Sequence, residues 1–287
     1  MKRVAIPLVG IEAAISHKYG LHMNETMSRS LDTAASHLAD QLEISLTELA
    51  RRVPLRDDLL ARLVAQVTIT DSHFGRHPEQ LELFSEWLRE RSDLPGRSFE
   101  IWSAGCAQGE EPYSIAITVL ERLPQLARRV HILASDVSQA AIDSAKTMKY
   151  SNWALRRLEP NSRKKYLRQT GNESRLHPDV AKLVHFECES IQWRVRLSAP
   201  KRFDAIFFRN VGIYLKEEVL FEIHRAFARL MKDDALLLQA PSDPLPDREL
   251  FVRFAEHTPA FKLRMVAKPA AVQSQPKALG LKSAAVE

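Results

Sequence analysis

Residues 99–114 read FEIWSAGCAQGEEPYS, and the class of fold follows from this segment. The apolar and aromatic residues of Phe99–Ala104 predict a short strand. Gly105 and Gly109 predict a turn in which the backbone is open to close approach, and Pro112 suits the first turn of a helix. A strand that leads through a glycine turn into a helix is the first half of a βα unit.

Further strands follow along the chain and alternate with helical segments. The clearest is Phe203–Phe208, and the others are Val130–Asp136, Val184–Glu187 and Ala235–Gln239. Helices are predicted between them, over about 139–146 and 217–231. This alternation predicts an α/β fold with a mostly parallel, doubly wound sheet, in which ligands bind at the carboxyl ends of the strands.

The chain before this segment has a different, helical pattern. Apolar residues recur at helical spacing over about 28–66, and Ser45 with Glu48 has the spacing of a capping box. Turn residues at 93–96 mark a boundary. We therefore expect an N-terminal extension at 1–27, a helical domain at 28–92, an α/β domain at 97–267 and a flexible tail or linker at 268–287, where Ala, Pro, Ser and Gln predominate.

Composition excludes several classes of protein. The chain has 287 residues, a net charge of +5 and an isoelectric point of about 9.2, which is only a mild basic bias. No apolar run approaches the ~18–20 residues that span a bilayer, and Glu12 interrupts the apolar N-terminus too early for a signal peptide. The two cysteines and ten histidines form no zinc or disulfide pattern. We expect a cytoplasmic protein without membrane insertion and without a metal.

Acidic residues in the first glycine loop restrict the ligand. A pyrophosphate needs bare N–H groups at a helix start, whereas Glu110 and Glu111 would repel it, and the third glycine of GxGxxG is missing. A dehydrogenase is therefore the least favoured class. Carboxylates here suit a cationic ligand, although they also favour the helix dipole without any ligand. Asp136, at the end of the second strand, has the position that binds a ribose diol. Together these residues favour a nucleoside ligand without phosphates, such as S-adenosylmethionine.

Residues 209–215, RNVGIYL, follow the clearest strand and therefore face the ligand edge of the predicted sheet. Asn210 offers a donor and an acceptor, and Tyr214 offers a hydroxyl group or is simply a half-buried aromatic residue. The Asn-Pro-Pro-Tyr sequence of many adenine methyltransferases is absent, which argues against a base-flipping enzyme and a nucleic-acid partner.

Residues 70–77, TDSHFGRH, concentrate polar groups between two predicted helices. Arg76 is suited to bidentate pairing with a carboxylate. His73 and His77 lie four residues apart but lack a third metal ligand, so we favour surface or capping histidines. Taken alone, the segment also fits a polar interhelical loop.

These segments together resemble the CheR-type chemoreceptor glutamate methyltransferases. The resemblance spans about residues 60–240 and is carried by SAGC with GEEPYSIA at 103–116, ASD at 134–136 and FDAIFFRNVGIY at 203–214. It implies a class I S-adenosylmethionine methyltransferase fold, with a small all-α N-terminal domain and a small antiparallel β insert near 166–186.

The resemblance also implies roles for individual residues. Glu111 would hold the methionine end of S-adenosylmethionine, and Asp136 would hold its ribose. The implied cofactor-binding set is Thr70, Ser72, Arg76, Gly105, Glu111, Asp136, Ser190, Ile191, Arg209 and Asn210. Arg76 and Tyr214 would be catalytic, with Arg76 orienting the reacting carboxylate and Tyr214 fixing its second oxygen.

The implied activity is methylation of glutamate side chains on chemoreceptors, with S-adenosylhomocysteine as the other product. The implied partner is the helical cytoplasmic bundle of a methyl-accepting receptor. The chain departs from the family pattern at Thr70, Ser72, Gly75 and Ser190, and again at 239–243, QAPSD. Since Gly75 would remove an aromatic wall and Ser190 replaces an asparagine that is typical of the family, the alternative is a catalytically weak module that binds the cofactor and acts in signalling or as a scaffold.

Overall fold

The computed structural model describes residues 8–68, 71–93, 96–196 and 203–264. Five helices precede the first strand in this part of the chain: α1 (Val9–Tyr19), α2 (Glu25–Gln41), α3 (Leu46–Arg52), α4 (Asp57–Val67) and α5 (Pro78–Arg89). Asn24 caps α2 by accepting a hydrogen bond from the Met27 N–H (2.9 Å). The predicted cap at Ser45 is confirmed, since its Oγ accepts from the Glu48 N–H (3.1 Å) at the start of α3.

The apolar faces of α1 to α4 pack into one core of their own, which runs from Leu8 to Val67. Helix α5 belongs to a different core. Its Phe84 and Trp87 are buried with residues of the sheet, and the Phe84 ring lies 5.3 Å from that of Phe207. The two cores therefore separate in the segment before α5, whereas the sequence places a boundary after it. The reason is that α5 has an apolar face of its own, which the sheet covers.

A seven-stranded sheet forms the centre of the remaining chain, with the strand order β6-β2-β1-β7-β8-β10-β9. Its strands are β1 (Phe99–Ala104), β2 (Val130–Asp136), β6 (Val184–Cys188), β7 (Phe203–Phe208), β8 (Met231–Gln239), β9 (Phe251–Arg253) and β10 (Ala260–Leu263). The first five strands of that order, from β6 to β8, are parallel, and β10 and β9 add an antiparallel edge. The predicted mostly parallel sheet is confirmed.

The predicted strand bounds are close to the observed ones, with two differences. The third predicted strand extends by one residue, to Cys188, and β8 begins at Met231 instead of Ala235. Helix α11 (Glu217–Leu230) ends just before β8, without a connecting turn. The register of β8 against β7 shifts between Phe203 and Ala205, and this irregularity accommodates the residues of β8 that precede Ala235.

Helices connect the parallel strands: α6 (Glu110–Arg122), α7 (Gln139–Thr147), α8 (Pro160–Tyr166), α9 (Pro178–Ala181) and α10 (Ile191–Arg196). A separate three-stranded antiparallel sheet, in the order β3-β5-β4, lies between α7 and α9 along the chain. It consists of β3 (Lys149–Ser151), β4 (Leu167–Thr170) and β5 (Glu173–Leu176). Two of its strands fall within the expected insert at 166–186, and β3 precedes that range.

The topology determines where a ligand can bind. Strand β1 pairs with β2 on one side and with β7 on the other, so the connections after β1 and β7 diverge. The crevice at such a switch point, at the carboxyl ends of the strands, is the usual ligand site of an open α/β sheet. In the described ranges no helix combines the length and the apolar character that crossing a membrane requires.

Candidate functional site

A cavity lies at this switch point, and loops from both parts of the chain line it. Ten of the predicted site residues form its wall: Ser72, Arg76, Gly105, Glu111, Asp136, Ser190, Ile191, Arg209, Asn210 and Tyr214. Thr70 lies outside the described residues. Residues separated by up to 142 positions in sequence are thus brought together, because the strand ends meet at one edge of the sheet and the loop before α5 also reaches the cavity.

The glycine turn after β1 forms the floor of the cavity. Gly105 has a φ of +83°, and a Cβ at this position would lie 2.5 Å from Val211 Cγ2. The backbone N–H groups of Gly105 and Cys106 both donate to the Ser135 carbonyl (2.9 and 3.0 Å). A side chain at 105 would therefore have to displace Val211 in the loop after β7, and only glycine fits there without strain.

Asp136 is held rigidly at the end of β2. Its Oδ2 accepts from the Ala107 N–H and its Oδ1 from the Ser138 N–H, each at 2.9 Å. Burial raises the pKa of this carboxyl group, and the backbone N–H donors oppose that change. The remaining lone pairs of the carboxylate can accept hydrogen bonds from a diol in the cavity.

Glu111 is part of a buried ion pair that the sequence did not predict. Its Oε2 accepts from Arg209 Nε and its Oε1 from Ser103 Oγ, both at 2.6 Å. The Arg209 side chain is almost wholly buried, with 2% exposure. Its Nη1 also donates to Gln80 Oε1 (3.1 Å) and to the Arg76 carbonyl (2.9 Å). Arg209 therefore orients Glu111 and anchors the loop that carries Arg76.

The loop before α5 brings Arg76 to the cavity beside Ser72. Arg76 Nη1 donates to the Asp71 carbonyl (3.2 Å), which leaves other N–H groups of the guanidinium for a ligand. Gly75 does not line the cavity. It has a φ of +67°, its N–H donates to Ser114 Oγ (3.0 Å), and a Cβ would lie 3.1 Å from a backbone oxygen of the neighbouring loop. Gly75, where the chain departs from the family pattern, is thus required by the turn and lies outside the cavity.

The loop after β7 carries Asn210 and Tyr214 and is held by Asp243. Asn210 has a φ of +60°, and its N–H donates to Asp243 Oδ2 (2.6 Å) while its Nδ2 donates to Ser242 Oγ (3.2 Å). Burial raises the pKa of Tyr214, so its hydroxyl group is protonated at neutral pH and can donate a hydrogen bond. The sequence showed that 239–243 departs from the family pattern. It did not predict that Asp243 in this segment would contact Asn210.

Ser190 and Ile191 begin α10 and close the cavity on the side of β6. Ser190 Oγ accepts from the Trp193 N–H (3.2 Å), as a helix cap does. The serine that replaces the usual asparagine therefore has a structural role and still lines the cavity.

The N-terminal part of the chain also contributes to the wall, which the sequence did not predict. Tyr19, Leu21 and Met27 line the cavity together with the predicted residues. No local motif marks them, because their role depends on how the N-terminal helical core packs against the loop after β7.

The charge of the cavity wall is net negative. Four carboxylates and two guanidinium groups line it: Asp71, Glu111, Asp136 and Glu189 against Arg76 and Arg209. Within the described ranges, no three histidine, cysteine or acidic side chains are arranged to hold a metal ion.

The sequence of this chain is similar to those of known methyltransferases. Residues 70–261 match the family model of the CheR methyltransferase, SAM-binding domain. The chemotaxis protein methyltransferase of Escherichia coli K12 is 32% identical over 184 residues, which cover 63% of each chain. That of Vibrio anguillarum is 31% identical over 208 residues, which cover 70% of this chain and 75% of the relative. A crystal structure of the DszA carbon methyltransferase has a TM-score of 0.37 and 17% identity, covering 82% of this chain and 47% of that chain, too distant to support an argument.

The matched region includes most of the cavity wall. All ten described site residues fall within 70–261, since Ser72 is the first of them and Tyr214 the last. The chain spans less than two thirds of the length of the relatives from Escherichia coli and Salmonella typhimurium, at 63% and 59%. The family match confirms the resemblance seen in the sequence, together with the class I α/β fold and S-adenosylmethionine as its cofactor. The chain belongs to the CheR methyltransferase family.

Proposed function

We propose that this protein transfers a methyl group from S-adenosylmethionine to glutamate side chains of chemoreceptors and forms glutamate methyl esters. The observation that carries the proposal is the convergence of Arg76 and Tyr214 with the acidic loops of β1 and β2 around one cavity. The relatives named as chemotaxis protein methyltransferases support the same reaction.

The chemistry of the cavity wall fits the proposed cofactor. The sulfonium and ammonium groups of S-adenosylmethionine are cationic, and the wall carries an excess of carboxylates. Asp136, held by two backbone N–H groups, is suited to a ribose diol. Glu111 is suited to the ammonium group, because Arg209 and Ser103 hold both of its oxygens in fixed positions. The same acids disfavour a cofactor with phosphate groups.

The residues near the reacting atoms position the substrate and need not move a proton. A glutamate side chain is already ionised at neutral pH, since its ordinary pKa is about 4.3. S-adenosylmethionine supplies an electrophilic methyl group. The substrate oxygen takes that methyl group as the carbon–sulfur bond breaks, and the electron pair of that bond stays on sulfur.

In this proposal Arg76 and Tyr214 orient the substrate carboxylate. The free N–H groups of Arg76 pair with one carboxylate oxygen, and the protonated Tyr214 hydroxyl group donates to the other. Holding the nucleophile in line with the bond that breaks is the main source of rate in such a reaction. We expect Arg76→Ala to lower kcat at least about 100-fold, and an unchanged kcat would disprove its role.

The proposed partner is the helical bundle of a chemoreceptor in the cytoplasm. The names of the relatives support it, and so does the nature of the reaction, which needs exposed glutamates on a protein surface. A weak cofactor-binding scaffold is not favoured, because the departure at Gly75 lies outside the cavity and Ser190 still contributes to its wall.

The first test is calorimetric titration of the protein with S-adenosylhomocysteine. We expect binding that Asp136→Ala abolishes and that the control Asp143→Ala leaves unchanged, since Asp143 is exposed on the following helix. The second test adds radiolabelled S-adenosylmethionine and a chemoreceptor cytoplasmic fragment, and we expect base-labile methyl esters. Absence of binding would refute the cofactor site, whereas binding without base-labile label would refute the reaction and support the scaffold alternative.

A further inference from the structure

The segment Tyr19–His22, which we call the N-terminal strap, contributes Tyr19 and Leu21 to the cavity wall and is tied to the loop that carries Tyr214. Leu21 forms an antiparallel bridge with Leu215. The His22 N–H donates to the Tyr214 carbonyl (2.8 Å), and the Lys216 N–H donates to the Gly20 carbonyl (2.9 Å). The strap is therefore bonded to Tyr214 and to Lys216, on the two sides of Leu215.

Helix α10 holds the strap from the opposite side. In the amide orientation that satisfies both groups, the nitrogen of Gln192 donates to the Lys18 carbonyl (2.6 Å) and its oxygen accepts from the Gly20 N–H (3.2 Å). Gly20 has a φ of +66°, and a Cβ there would lie 2.5 Å from Val219 Cγ1. The approach of the strap to α10 and α11 is so close that only glycine fits.

Tyr19 lies at one particular end of the cavity. It lines the main cavity, and it also lines an adjoining depression with Val137, Glu189 and Ser190. Val137 follows Asp136, which is proposed to bind the ribose, and Glu189 and Ser190 lie at the start of α10. The Glu111–Arg209 pair does not line that depression. Tyr19 is thus on the adenosine side of the site and away from the amino-acid end.

The ring of Tyr19 is supported by its own helix. Lys18 Nζ lies 5.9 Å from the ring centroid and forms an ion pair with Asp57 Oδ1 (2.5 Å). A ring that neighbouring groups already hold loses little conformational freedom when it packs against a ligand. Aromatic rings bind bases by stacking, without selecting a hydrogen-bonding pattern.

We propose that the N-terminal strap is part of the cofactor site and that Tyr19 packs against the adenine ring. This inference rests on the proposed function and adds a contact from outside the matched region, which begins at residue 70. The strap would enclose the cofactor and, through the His22–Tyr214 bond, couple its binding to the position of Tyr214.

The test compares two ligands that differ only in the amino-acid end. S-adenosylhomocysteine has the homocysteine group, and 5′-methylthioadenosine keeps the adenosine and sulfur but lacks that group. We expect Tyr19→Leu to lower the affinity for both ligands by the same factor, about tenfold, since base stacking has about this effect on affinity. Tyr19→Phe retains the ring and should stay within twofold of the natural protein. Glu111→Gln should lower the affinity for S-adenosylhomocysteine alone.

Controls separate this effect from a folding defect. Trp153→Ala removes an exposed aromatic residue that does not line the cavity, and we expect no change in either affinity. Circular dichroism of each variant establishes that it is folded. Gly20→Ala should also weaken both ligands, because its Cβ displaces the strap.

The outcomes distinguish the inference from the function on which it rests. If the natural protein binds S-adenosylhomocysteine and folded Tyr19→Leu binds both ligands as tightly, the inference is wrong and the proposed function stands. Weakening of S-adenosylhomocysteine alone would also overturn it, since Tyr19 would then act at the amino-acid end. If the natural protein binds neither ligand, both proposals fail.

Discussion

The substitution Glu110→Gln should stabilise this protein at alkaline pH. Glu110 begins α6 with 3% of its surface exposed, and its Oε2 has no hydrogen-bond partner within the part of the chain that the structure describes. Burial raises the pKa of this carboxyl group from 4.5 to about 7, Asp71 adds to the rise, and backbone N–H groups and Arg156 oppose it. The folded state therefore favours the protonated form, which glutamine imitates.

The size of the effect follows from the pKa difference between the folded and unfolded states. As pH rises from about 4.5 to 7, the unfolded chain ionises at this position while the folded chain stays protonated, so the free energy of unfolding falls. One pKa unit corresponds to 1.36 kcal/mol. Glu110→Gln should therefore raise the free energy of unfolding by about 3 kcal/mol at pH 8 and by less than about 1 kcal/mol at pH 5.

Urea unfolding at pH 5 and pH 8, followed by tryptophan fluorescence, measures both values. Trp87 and Trp102 are buried in the cores around the sheet, so their emission reports on the surroundings of α6. The control Glu121→Gln alters an exposed residue of the same helix and should change stability little at either pH. A gain of equal size at both pH values, or no gain at pH 8, would refute the reasoning.

Two further predictions concern buried charges at opposite ends of β7. Arg209→Met leaves Glu111 without its cation and should lower the free energy of unfolding by about 3 kcal/mol and weaken S-adenosylhomocysteine, with partial recovery in Arg209→Lys; unchanged urea unfolding and calorimetry would contradict this. Asp204→Asn removes a wholly buried carboxylate that pairs with Arg97 (2.8 Å) and Lys232 (2.7 Å), at the edge away from the cavity. We expect a loss of about 3 kcal/mol with unchanged S-adenosylhomocysteine affinity, and a changed affinity in folded protein would contradict it.

The five parallel strands and the main turns were predictable because their signals are local, and most of the proposed site residues were implied by the family resemblance. Strand β7 is apolar except for Asp204, which is typical of a strand buried on both faces. The glycine at 105 and the acid at 136 stand at positions where the connection of strand to helix requires them. Once the strands are known to be parallel, their carboxyl ends and the residues on them converge at one edge.

The contacts that hold those residues in place were not predictable, because each joins distant segments. Gln80, on α5, contacts Arg209 through its oxygen (3.1 Å) and the Gln239 carbonyl through its nitrogen (2.5 Å). Asp243 stabilises the positive φ of Asn210 from a loop 33 residues away. Neither residue belongs to a periodic pattern, so a sequence window around it contains no sign of its partner.

The sequence by itself determined the α/β class, the order of the parallel strands along the chain and the chemical character of the ligand, since these depend on periodicity, turn residues and local charge. Only the tertiary structure decided that α5 packs on the sheet, that Arg209 neutralises Glu111 and that Tyr19 reaches the cavity. The physical reason is that burial and pairing depend on which apolar faces meet. Helix α1 is far from the sheet in sequence, and its place over the cavity exists only after the two cores have packed together.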